Sequence, residues 1–111
     1  MYRVFGCNGT TSTDVLIDAM SRAVTDGAQV ISMSIGEPNG WSEEPRNVVG
    51  QRIAARGVFL SVAAGNEGGA GVFDVSTPSS GQGATSVASV DTSAVVVWNA
   101  AFGNGSTIVR S

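Results

Sequence analysis

Gly57-Val58-Phe59-Leu60-Ser61-Val62-Ala63-Ala64-Gly65-Asn66-Glu67-Gly68-Gly69 is the stretch whose reading decides the fold. Its first half is a continuous apolar run opened by a glycine. That pattern predicts a strand covered on both faces, as in a parallel sheet. Its second half loses all bulk at once, and alanine and glycine let another backbone approach closely. One amide side chain, Asn66, then stands at the strand's end. Ligands in open α/β sheets sit just beyond the carboxyl ends of the strands, so Asn66 is the first candidate functional group.

Upstream of this strand, Ser42 and Glu43 are expected to open a helix, with Pro45 tolerated in its first turn. Val48, Val49 and Ile53 face inward in this reading. Arg46, Arg52 and Arg56 face out, and Gly57 stops the helix. Trp41 lies in the preceding loop and is expected to cover an edge of the sheet. Glu37-Pro38-Asn39-Gly40 reads as a turn cluster. Residues 29–33 read as a second strand, ended by Ser34-Ile35-Gly36.

Further upstream, Ser12 or Thr13 can cap another helix, and Asp14 suits the positive end of its dipole. Val15, Leu16, Ala19, Met20, Ala23 and Val24 share one face, with Asp18 and Arg22 on the other and Gly27 as the stop. Tyr2-Arg3-Val4-Phe5-Gly6 reads as a strand. The order strand, helix, strand, helix, strand predicts an α/β fold, a parallel sheet flanked by helices with right-handed crossovers. Downstream, residues 68–83 form a long loop containing Pro78, and residues 84–90 a fourth, less apolar strand. Val95-Val96-Val97-Trp98 reads as a further strand, followed by a tail bearing glycine and asparagine.

A chain of 111 residues is expected to be one domain, and 42% hydrophobic with 14% charged residues is globular composition. A net charge of -3 argues against nucleic acid as a partner. All six basic residues are arginines, and lysine and histidine are absent. Without histidine the usual general base at neutral pH is missing, and a Ser-His-Asp triad cannot be built from this chain alone. The single cysteine, Cys7, can form neither an internal disulfide nor a Cys/His metal site, and reads as a small buried hydrophobe. No stretch reads as a secretion leader or is long enough to span a membrane, and no membrane partner is expected. The chain opens directly on strand-like residues, which suggests a truncated piece. Asn8-Gly9-Thr10 and Asn104-Gly105-Ser106 are glycosylation sequons, meaningful only in a secreted parent.

Several chemistries fail on spacing. The glycine-rich residues 65–71 fit neither Gly-x-Gly-x-x-Gly nor a phosphate loop, and no lysine exists to contact a phosphate. No metal site and no cofactor are implied, although a backbone-dominated calcium site leaves no trace in sequence. Ser34 is preceded at two residues by Ser32, so it is no Gly-x-Ser-x-Gly nucleophile. Asp14, Asp18 and Asp26 are helix-surface or helix-end residues. Asn66 itself reads either as a turn asparagine beside Gly65 or as a neutral hydrogen-bond donor.

Val62-Ala63-Ala64-Gly65-Asn66-Glu67-Gly68 resembles the oxyanion-hole segment of subtilisin-like serine peptidases, the subtilases. Val30-Ile31-Ser32-Met33-Ser34-Ile35-Gly36 resembles the same family's substrate-binding strand. The resemblance covers roughly residues 2–91, taken as a partial peptidase domain, and leaves residues 92–111 as an unmatched tail. It implies serine endopeptidase activity for an intact parent, secreted and acting on a peptide or protein substrate. Asn66 would stabilise the oxyanion. The backbone of Ser34, Ile35 and Gly36 would pair with an extended substrate, Gly36 leaving room for it. Ala63, Ala64 and Gly65 would wall the pocket for the residue before the cleaved bond, with Glu67 at its mouth.

The family's Asp-Thr/Ser-Gly, His-Gly-Thr and Gly-Thr-Ser-Met-Ala motifs do not occur. The chain alone is therefore expected to be inactive, with the remainder of a peptidase domain as its partner. The alternative is a non-catalytic α/β binding or interaction module derived from the same fold.

Overall fold

The computed structural model describes residues 1–90, 92–94, 97–103, 105 and 107–110. The elements run α1 (Thr13–Thr25), β1 (Val30–Met33), β2 (Glu37–Pro38), α2 (Pro45–Ala54), β3 (Phe59–Ala63), β4 (Ser76–Thr77), β5 (Ala84–Val87), β6 (Trp98–Ala101) and β7 (Thr107–Arg110). β1, β3 and β5 form a parallel sheet in that order, with β3 central. Its register pairs Ile31 with Leu60 and Met33 with Val62, then Leu60 with Ala84 and Val62 with Ser86. This is the expected α/β arrangement.

The core lies between the sheet and the two long helices. Leu16, Met20 and Ala23 are the buried residues of α1, spaced to share one side. Met20, Ala23, Ile31, Ile53, Val58, Leu60 and Val62 form one cluster, with Val49 and Ala54 packed against it. Each large apolar side chain fully buried this way contributes about 1.5–3 kcal/mol. α1 ends at Asp26, and Ala28 N–H donates back to Ala23 O at 2.9 Å, a bond that Gly27 permits. α2 is capped by Glu44, whose carboxylate accepts from Arg46 N–H at 2.8 Å.

Six expectations are corrected. Residues 2–6 form no strand. Gly6 N–H donates to Thr10 O and Phe5 O accepts from Arg3 Nε, so backbone groups that a ladder would use are committed locally. β3 is not covered on both faces, since Phe59 is 53% exposed. Arg46 does not face out; its pairing with Glu37 and Glu44 lets it sit buried. Trp41 covers no edge and is exposed; its backbone carbonyl instead accepts from Asn47 Nδ2 at 2.7 Å. Cys7 is exposed, because residues 6–10 close into a surface turn.

The sixth correction is in the loops. Glu37–Pro38 is not only a turn; it pairs antiparallel with Ser76–Thr77. The loop read over 68–83 therefore contains a buried segment, with Ser76, Thr77, Pro78 and Ser79 all inside. Two of its hydroxyls are satisfied by backbone carbonyls: Thr77 Oγ1 donates to Asn39 O at 2.7 Å and Ser79 Oγ to Ser76 O at 2.6 Å. The fourth strand is shorter than read, ending at Val87. Of the strand read at Val95-Val96-Val97-Trp98, the first two residues lie outside the described ones. β6 begins at Trp98 and pairs with β7 as a separate antiparallel hairpin.

Candidate functional site

Parallel pairing of β1 with β3 brings their carboxyl ends out side by side. Ser34, Ile35 and Gly36 leave β1, while Ala63, Gly65, Asn66 and Glu67 end β3. All seven line one cleft of about 620 Å³. Two stretches separated by some thirty residues are thus brought together by the sheet alone. Ala64 is placed differently: it lines a neighbouring depression, its N–H donates to Val87 O, and its carbonyl accepts from Ser76 N–H. Gly65 and Asn66 line both depressions, so they form the ridge between them.

Gly65 has φ +104°, a conformation that side-chain-bearing residues resist. A Cβ there would also lie 2.6 Å from Glu67 Oε2. The resulting turn presents Asn66 to solvent, and its carboxamide makes no hydrogen bond to a described residue. Asn66 N–H, by contrast, is held by Glu67 Oε2 at 2.8 Å. The Glu67 carboxylate is therefore partly engaged in fixing the turn, as well as lining the cleft.

Ser76 was not singled out by its sequence context, yet it lines the cleft and is only 3% exposed. Its side chain sits against both Gly36 and Gly65. A Cβ on Gly36 would lie 2.7 Å from Thr77 O, so the bare glycine there accommodates the protein's own β4. The only sequence signal for Ser76 was the Ser76-Thr77-Pro78 string inside a loop.

Arg46 was also missed. It lines the cleft from α2 with its guanidinium paired to Glu37 and, at 2.9 Å, to Glu44. Burial alone would lower its pKa, but hydrogen bonds and charge attraction from Glu44 and Glu37 outweigh that and raise it. Arg46 is thus a fixed cation, and it ties α2 to the strand that continues from Gly36. Phe5 and residues 11–13 complete the wall opposite.

The end of β1, the turn that presents Asn66 and the small residues Ala63 and Gly65 thus meet in one cleft. The Subtilase family model matches residues 1–108. The chain belongs to the subtilase family. Among curated proteins it is similar to the subtilisin-like protease SBT1.6 of Arabidopsis thaliana, at 38% identity over 65 residues. That match takes in 55% of this chain and 8% of the relative, so the chain spans a small part of that protein's length. Serine peptidase resemblance rests on these two findings together.

Among the described residues, no cluster of three or more His, Cys, Asp or Glu is placed to hold a metal ion.

Proposed function

We propose that this chain is the substrate-holding part of a serine endopeptidase. The observation that supports the reading is the shared cleft, lined by Ser34, Ile35 and Gly36 as well as by Asn66. The free backbone groups of Ser34 and Ile35 receive an extended peptide by strand addition. Ala63 and Gly65 wall the pocket for the side chain before the cleaved bond, and Ser76 forms its floor. Glu67 lends the mouth a negative charge. Asn66 donates its amide N–H to the oxygen that becomes negative as the peptide carbonyl turns tetrahedral. Asparagine suits this task because it donates without competing for protons.

The nucleophile and its base come from residues outside this chain, which has no histidine and none of the family's triad motifs. In this reading the rest of a longer, secreted peptidase also covers the face of the sheet that α1 and α2 leave bare. The chain by itself binds peptides without cleaving them.

Two measurements test this. Titrating the chain with an extended peptide of uncharged residues should shift the backbone amide resonances of Ser34, Ile35 and Gly36. No shift at any peptide length would remove the substrate-binding role. In a longer chain that adds the three triad motifs, Asn66→Ala should lower kcat far more than it changes KM, because the bond strengthens in the transition state. The scale of about 10²–10³-fold is carried over from the equivalent asparagine of subtilisin. Asn66→Asp should be at least as damaging, since an ionised carboxylate repels the oxyanion. Unchanged kcat in Asn66→Ala would make Asn66 a turn former only.

A further inference from the structure

Residues 6–10 form a closed surface loop that the peptidase reading does not use. Gly6 N–H donates to Thr10 O at 2.9 Å and Gly9 N–H to Gly6 O at 3.0 Å. Inside it, Asn8 Oδ1 accepts two bonds from the same residue: Thr10 N–H at 3.2 Å and Thr10 Oγ1 at 2.9 Å. Asn8, Gly9 and Thr10 are all exposed, and Asn8 Nδ2 bonds to no described residue. Gly9 adopts φ +75°, and a side chain there would meet nothing within 4 Å.

We propose that Asn8 is an N-glycan acceptor, its substrate a polyprenyl-diphosphate-linked oligosaccharide presented by a transferase. The sequence Asn-Gly-Thr meets the pattern, and the loop supplies the chemistry. Two donors on Oδ1 draw electron density toward the carbonyl oxygen and make the Nδ2–H more acidic. In the transfer, Nδ2 forms a bond to C1 of the sugar and gives one proton to the transferase. The C1–O bond to the lipid diphosphate breaks, and the lipid diphosphate leaves with the electron pair. The threonine hydroxyl is needed because it makes the shorter of the two bonds. All the bonds shaping the loop join residues at most four apart, so a growing chain can form the turn before the sheet exists.

The finished fold keeps the site accessible. The loop's flanks, Phe5 and Thr11, line the cleft wall, so the glycan stands beside the cleft, while the loop itself faces solvent.

The test is translation of the full chain, fused to a cleavable secretion leader, in an extract supplemented with endoplasmic-reticulum vesicles. Only chains protected from added protease are scored. Enzymatic deglycosylation in heavy-oxygen water followed by peptide mass mapping marks each occupied asparagine and separates Asn8 from Asn104. We expect the label on Asn8 in most protected chains. Thr10→Ala should abolish it with Asn8 still present, and Thr10→Ser should retain it. Asn8→Gln should remove that label alone. Protected chains with unlabelled Asn8 would overturn the proposal, as would full labelling in Thr10→Ala.

Discussion

The two faces of the three-stranded sheet differ sharply. On one, Ile31, Leu60 and Val62 are 9%, 1% and 1% exposed; on the other, Val30, Phe59 and Val87 are 61%, 53% and 54% exposed. Handedness explains the difference. The sheet order β1-β3-β5 follows the chain order, so successive right-handed crossovers fall on the same face. α2 connects β1 to β3 on that face, and α1 packs beside α2. Covering the second face takes a crossover that steps the other way from β1, and residues 1–111 contain none among the described ones. Among the described residues nothing covers Val30, Phe59 and Val87 on the second face, so β3 is apolar on both sides and buried on one.

The largest expected effect sets the faces against each other. Leu60→Ala should cost about 2–5 kcal/mol, because it deletes a fully buried side chain and leaves a cavity. Phe59→Ala, one residue away but on the open face, should cost less than about 1 kcal/mol. Denaturant unfolding of both variants at low protein concentration measures the gap. Equal costs would mean that the open face is covered in solution, and the comparison would fail.

The same contrast explains what was legible in the sequence. Helices α1 and α2 and strands β1 and β3 were readable because periodicity and stop signals are local. The link between Ser34-Ile35-Gly36 and Gly65-Asn66-Glu67 came from the family resemblance, and the parallel pairing of β1 with β3 gives the physical reason that they line one cleft. Phe59 misled, since an apolar residue does not say whether another part of the chain covers it. Arg46 misled because a lone arginine on a helix looks solvated, and its partner Glu37 lies nine residues away in another element. Ser76 was hidden because a polar residue in a loop becomes buried only through long-range bonds. The β6–β7 hairpin had a sequence signal in the string Gly103-Asn104-Gly105 between two apolar-bearing runs, but everything after Trp98 was read as a tail.

A second, smaller effect tests the cleft, where strand ends from the closed core meet the open loops. Gly36→Ala should cost about 1–3 kcal/mol, since a methyl group would press on the Thr77 carbonyl oxygen, which is backbone and yields little. The loss should appear in thermal melts of the chain without any peptide. A melt matching the native chain, with weakened peptide binding, would instead assign this glycine to the substrate.

Smaller again is the bond from Asn66 N–H to Glu67. Glu67→Ala removes the acceptor and should cost about 0.5–1.5 kcal/mol at most, since the site is only half buried. Glu67→Gln keeps an oxygen in place. Hydrogen exchange at the Asn66 amide should therefore quicken in Glu67→Ala and stay near native in Glu67→Gln. Equal quickening in both would show that the charge, not the acceptor, holds the turn.

The smallest effect lies at the seam between the faces. A groove of about 420 Å³ runs along β1, and Tyr2 and Val4 line it together with Val30 from the open face and Ile31 from the closed one. The N-terminal segment is tethered there by Tyr2 Oη, which donates to Asp26 Oδ2 at 2.5 Å. That hydrogen bond, with burial and the charge of Asp26 adding to it, raises the phenol pKa above its ordinary value of 10.0. A group whose pKa is raised on folding stabilises fully below its unfolded value and loses that contribution as pH climbs through the folded one. The tether should thus hold at neutral pH and release only above about pH 10. Tyr2 is the chain's one tyrosine, so ultraviolet absorbance reads its ionisation directly. It should titrate above a free tyrosine, and Asp26→Ala should bring it back. Ordinary titration in the native chain would mean that the segment does not lie along β1, and the seam would then be as open as the uncovered face.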